Sequence, residues 1–201
     1  MLIAGCGGSD PRQDENEEAA DYPVEVTVAE FPPKQRLAET TDLELAFRNI
    51  GDEVIPDLVV TIYTGDEKAD GPFNIRSEQE GLADPNRPVW ILENEYPKVL
   101  SAGTTSETLD NAPTAGAETA SVNTYSFGEL AEGDTLRAVF RVTPVVGGTY
   151  TVNYEVAAGI DGKAKAVTET GEPVEGEFVA TISARPPAAA VDEQGNVVSP
   201  K

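Results

Sequence analysis

Histidine is absent from the 201 residues, and cysteine, methionine and tryptophan occur once each. Without histidine the chain lacks the commonest general base and metal ligand, which excludes Ser-His-Asp and Cys-His nucleophile systems. A single cysteine forms no internal disulfide and no cysteine-rich zinc site. Basic residues are scarce too: 14 Lys and Arg stand against 36 Asp and Glu, a net charge of -22. Such a field repels phosphate backbones and anionic headgroups, which excludes nucleic acid and leaves neutral, cationic or metal-bridged partners. It also keeps an exported surface soluble. No run approaches the ~20 apolar residues of a membrane-spanning helix. For catalysis only paired carboxylates, Lys or Tyr remain. Among 36 acids some pair always looks suggestive, so pairing carries no signal. We expect no enzyme and no cofactor.

What is present is short, β-branched and aromatic. The length suits one domain. Period-two alternation puts Val24, Val26 and Val28 on one face of a first strand, and Leu43, Leu45 and Phe47 on one face of a second. Leu58, Val59, Val60 and Ile62 make "DLVVTIYT" apolar on both faces, as a central strand is. Shorter runs surround Trp90 and end at Phe127. Then Leu136, Ala138, Phe140 and Val142 alternate with Arg137, Val139 and Arg141, Tyr150, Val152, Tyr154 and Val156 follow, and Phe178, Ala180 and Ile182 close the series. The fifteen prolines stand at the edges of these runs, because proline cannot donate to a ladder. The pattern predicts an all-β, antiparallel Ig-like β-sandwich of about seven to eight strands without a helix.

Two connections, 65–87 and 93–120, are too long for turns and read as functional or disordered insertions. In the first, "DEKADG" departs from an EF-hand, since Lys68 takes a ligand position and Ser77 stands where a bidentate Glu belongs. A looser calcium site from Asp66, Glu67, Asp70 or Asp84 competes with the reading of solvated loop acids. Trp90 reads as core rather than as a sugar platform, and Tyr150 and Tyr154 as core with hydroxyls at the rim. Lys163 and Lys165 in "GIDGKAKA" form a local basic spot, either a partner contact or an ordinary turn.

At the amino terminus Ile3-Ala4-Gly5-Cys6 resembles the bacterial lipobox. The resemblance implies cleavage before Cys6 and a diacylglycerol on its sulfur. The export segment upstream is too short, so the recorded start is expected to be late. The stretch after Cys6, "GGSDPRQDENEEAAD", has no apolar periodicity and reads as an acidic disordered tether. The expected organisation is a signal remnant at 1–5, lipidated Cys and tether at 6–21, sandwich at 22–184, and a Pro/Ala-rich disordered tail at 185–201.

The segment Leu43-x-Leu45-x-Phe47-x-Asn49-x-Gly51, with Ile55-Pro56 after it, resembles the bacterial adhesion-related Ig-like modules called CARDB and their DUF11-type relatives. Leu130 and Gly133 match the later turn of that pattern, and "GGTYTVNYEV" matches the strand that follows. The resemblance spans Val24 to Ser183 outside the two insertions. It implies a fold and a cell-surface role in display, adhesion or assembly, and no binding residue. Together these readings predict a non-enzymatic lipoprotein on the outer face of the cytoplasmic membrane, with an envelope protein or cell-wall partner. The alternative is an extracellular module that binds calcium or glycan through the loops 65–87 and 93–120.

Overall fold

The computed structural model describes residues 18–65, 73–75, 88–100, 113–114, 116–118, 123–185, 190–191 and 197–198. Two β-sheets face each other, and the described residues contain no helix. The first sheet runs β12 (Lys165–Val167), β1 (Asp21–Glu30), β3 (Thr41–Asn49), β10 (Thr135–Pro144), β6 (Trp90–Leu92), β5 (Phe73–Ile75), with β7 (Lys98–Leu100) also on β10. The second runs β2 (Lys34–Arg36), β13 (Val174–Ser183), β11 (Gly148–Ala157), β4 (Val59–Thr64), β9 (Thr124–Ser126), β8 (Ala117–Glu118). This is the expected all-β sandwich, with one topological difference. The long ladders are antiparallel, but β12 on β1, β2 on β13 and β5 on β6 are parallel. Each is a three-residue pairing at or near a sheet edge, where a passing segment needs no hairpin to dock.

The alternating residues meet between the sheets. Leu43, Leu45, Phe47, Ala138, Phe140 and Val142 from the first sheet are fully buried with Val60, Ile62 and Val152 from the second. Trp90 is fully buried as expected of a core residue, flanked by Phe31 at 5.5 Å and Tyr150 at 5.7 Å between ring centres. Tyr154 is buried as well, and the Tyr150 hydroxyl donates to the Gly147 carbonyl at the rim.

Val28 does not share the face of Val24 and Val26. A β-bulge interrupts the pairing with β3, so that Val26 opposes Phe47 while Val28 opposes Ala46. One extra residue, Thr27, shifts everything after it to the opposite face.

The motif residues of the resemblance converge at one end of the sandwich. Asn49 is fully buried, and its side-chain amide donates to the carbonyls of Glu53 at 2.8 Å and Leu130 at 3.0 Å. Its side-chain oxygen accepts from the Gly51 amide, and its backbone carbonyl accepts from the Gly133 amide. Ile55 and Leu130 form an isolated bridge beside them. These residues hold a corner together.

Both long connections carry strands, which the sequence reading did not place: β5 lies in the first, β7 and β8 in the second. "GIDGKAKA" is only partly a turn, because Lys165 begins β12. Ala164 and Ala166 point inward and are buried there. Within the segment read as a disordered tail, β14 (Ala190–Val191) pairs antiparallel with β15 (Val197–Val198).

Candidate functional site

The second insertion builds a groove on the outer face of the first sheet. Along β10 the outward positions are Arg137, Val139 and Arg141, and along β3 they are Asp42 and Glu44. Arg141 sits directly opposite Asp42 and bonds it at 2.9 and 3.2 Å, and Arg137 reaches Glu44. Between the two arginines, Val139 is an outward apolar residue that is nevertheless fully buried. It is covered because β7 pairs beside it, with Lys98 opposite, and Leu100 and Tyr96 pack against it.

Tyr96 is the centre of the groove. The β6–β7 connection turns through Glu95, whose φ of +67° is rare for a residue with a Cβ, and then through a cis Tyr96–Pro97 peptide. The turn is held by the Tyr96 amide on the Glu93 carbonyl and by the Thr114 hydroxyl on the Glu95 carbonyl. Lys98 Nζ lies 5.2 Å and the Arg141 guanidinium carbon 5.1 Å from the centre of the tyrosine ring. Both distances suit attraction of a cation to the ring. Lys98 is only 3% exposed, an unusual position for a lysine.

A hydrogen-bond chain closes the other wall. Thr143 donates to Glu93 Oε1 at 2.8 Å, so its single proton is committed and Thr40, 3.1 Å away, donates to Thr143. The groove holds roughly 760 Å³ and is lined by Thr40, Asp42, Glu93, Tyr96, Lys98 and Arg141, among others. It offers fixed donors and acceptors around one aromatic ring. Sequence reading marked this insertion by its length but named none of its residues. The signal it contained was the "EYPK" stretch, a tyrosine and a proline inside an acidic loop.

Of the residues singled out from sequence, Cys6, Asp66, Glu67, Asp70 and Asp84 lie outside the described residues. Lys163 is half exposed and pairs with Asp161 at 2.6 Å. Lys165 is exposed on β12, separated from β3 by β1, and it pairs with Asp21 at the end of β1 opposite to the one that lies beside Glu44 and the groove. The structure therefore does not join the two lysines to the groove. Among the described residues no three acidic or cysteine side chains gather as a metal site.

On the outer face of the second sheet, Tyr63 donates to Glu155 Oε1 at 3.1 Å. Burial, the Glu155 charge and this bond, and the charge of Glu175 all raise its phenol above the ordinary 10.0. Burial likewise raises the Tyr154 phenol.

Fold and groove define an all-β Ig-like sandwich elaborated on one outer face. No known protein family and no curated protein matches the chain in sequence. Among solved structures, the chain is similar to the CARDB domain of a Pyrococcus furiosus protein at 14% identity. That match covers 84% of this chain and 100% of the other, with a TM-score of 0.43. It is also similar to Escherichia coli alpha-2-macroglobulin, at 14% identity over 82% of this chain and 7% of that one, TM-score 0.40. A cohesin module from a Clostridium perfringens family 33 glycoside hydrolase matches at 11% identity over 82% and 98%, TM-score 0.40. The ligands and activities of those proteins do not transfer to this chain.

Proposed function

We propose that the chain is a non-enzymatic interaction module of the cell envelope, carried on a lipid anchor at Cys6, whose sandwich contacts a partner protein through the Tyr96 groove. The observation that supports it is the composition of the groove. Three carboxylates, from Asp42, Glu93 and Glu95, share it with the cations of Lys98 and Arg141, on a molecule whose net charge is -22. Both cations lie against the Tyr96 ring, so a partner surface meets fixed charges of both signs there. Tyrosine and arginine are also the residues that most often carry binding energy at protein interfaces. The anchor rests on the Ile3-Ala4-Gly5-Cys6 pattern alone.

The test is site-specific photo-crosslinking in the producing organism. A photoreactive residue at exposed Asn94, on the groove rim, is expected to give one discrete adduct that Tyr96→Ala abolishes. The same probe at exposed Thr151, on the opposite sheet, is expected to give none. Equal adducts from both positions, or none from Asn94, would refute the groove as the contact. In parallel, Cys6→Ser is expected to move the chain from the membrane fraction to the soluble one; retention in the membrane would refute the anchor.

A further inference from the structure

We propose that the free edge of β13 accepts an extended peptide carrying Lys or Arg at alternate positions, which adds a strand to the second sheet. On one side β13 is paired with β11 over its whole length, from Val174 opposite Val156 to Ile182 opposite Gly148. On the other side β2 covers only Thr181 to Ser183. The Thr181 amide donates outward to Pro33 and the Ser183 carbonyl accepts from Leu37. Peptide groups alternate in direction along a strand. The amides and carbonyls of Glu175, Glu177 and Val179 therefore point away from β11. Among the described residues no backbone group pairs with them. All three residues are exposed, Val179 by 52%.

The occupant follows from charge and from the chain's own precedent. Glu175 stands opposite Glu155, and Glu177 opposite Asn153, so no cation answers either carboxylate across the ladder. A new strand at this edge places its alternate side chains beside Glu175 and Glu177, where lysine or arginine is favoured and an acid is repelled. The segment already docked on the edge has that chemistry: β2 reads Lys-Gln-Arg, with Lys34 opposite Thr181 and Arg36 opposite Ser183. The peptide continues this ladder toward Val174. A second copy is disfavoured, since antiparallel self-pairing sets glutamates against glutamates on molecules of charge -22. Strand addition of this kind draws affinity from the main chain and selectivity from alternate side chains.

The experiment uses the full chain, isotope-labelled, with three capped peptides of about eight residues. One alternates Val and Lys, one alternates Val and Glu, and one alternates Pro and Lys, with the charge of the first but without a full set of ladder donors. Amide exchange at Glu175, Glu177 and Val179 is expected to slow about tenfold or more with the Val/Lys peptide and with neither of the others. In the variant Glu175→Lys with Glu177→Lys, the backbone edge is kept and the preference is expected to pass to the Val/Glu peptide. Equal effects of the two lysine peptides would mean attraction to an acidic surface only, and overturn the proposal. Protection elsewhere in the chain, or at these amides in peptide-free samples as protein concentration rises, would overturn it too; the latter would assign the edge to a second copy.

Discussion

The indole Nε1 of Trp90 donates to Oε1 of Gln35 at 2.7 Å, and both side chains are buried. Gln35 is the inward residue of the short basic strand β2, and its own amide donates to the Pro32 carbonyl at 2.9 Å. One glutamine thus pairs the core tryptophan and ties down the Pro32-Pro33 corner.

Replacing Gln35 by Leu keeps the bulk and removes the acceptor. A buried donor left without a partner costs about 1–3 kcal/mol. Urea unfolding, followed by the fluorescence of the one tryptophan, is expected to show an unfolding free energy lowered by that amount, read as a lower midpoint at unchanged slope. An unchanged midpoint would mean that the indole finds another acceptor.

The Asn49 corner should be more sensitive. Asn49→Ala removes two donors and one acceptor from a fully buried position and is expected to cost about 2–4 kcal/mol. Asn49→Asp adds a carboxyl that faces the carbonyls of Glu53 and Leu130, which favours its protonated form in the folded state. Its folded pKa then lies above the unfolded one, near 3.9. Stability present below that unfolded value is lost as pH rises through the folded one. Relative to Asn49→Ala, the aspartate variant should therefore recover on acidification; a pH-independent difference between the two would contradict this geometry.

At the other end of the scale, Tyr63 and Tyr154 titrate above their ordinary 10.0 in the folded chain. A raised folded pKa means that the folded state holds its proton longer, so the contribution is complete below 10.0 and is lost as pH rises through the folded value. Tyr154→Phe, which removes the buried phenol, is expected to weaken the alkaline decline in thermal midpoint more than Tyr63→Phe does. An equal effect of both would place the cause in charge around Glu155 rather than in burial.

The long ladders were legible from the period-two apolar residues of their inward faces. β11 alternates cleanly, and β10 does so apart from Val139 and Thr143, which are covered on the outer face; the inward Phe140, Val142 and Val152 are fully buried. The bulge at Thr27 was missed, since Val24, Val26 and Val28 alternate with Glu25 and Thr27 as in an unbroken strand, and the pairing with β3 places the slip between Val26 and Val28. So was β2, whose Lys-Gln-Arg is polar throughout and becomes a strand by docking on β13. The groove escaped for the same reason. Lys98 and Tyr96 are ordinary loop residues in sequence, and they form a site only after β7 pairs with β10 and sets them beside Arg141. Pairing partners distant in sequence decide such places, and local periodicity does not contain them.

Gly176 shows the same dependence on a neighbouring strand and gives the last test. It lies in β13 opposite Tyr154 of β11, and a Cβ built on it would fall 2.5 Å from the tyrosine oxygen and 2.6 Å from the ring. Tyr154 cannot yield freely, because its ring also packs against Phe178 at 5.6 Å and Phe47 at 6.4 Å. Gly176→Ala is therefore expected to destabilise the chain by about 1–3 kcal/mol through overpacking, even though alanine suits a strand no worse than glycine. In a Tyr154→Ala background the added methyl meets no ring, so the same substitution should cost little or become stabilising. A double-mutant cycle by urea unfolding reads the difference as a coupling energy, about as large as the single-mutant penalty. A coupling near zero would mean that the penalty comes from the β13 backbone and not from Tyr154.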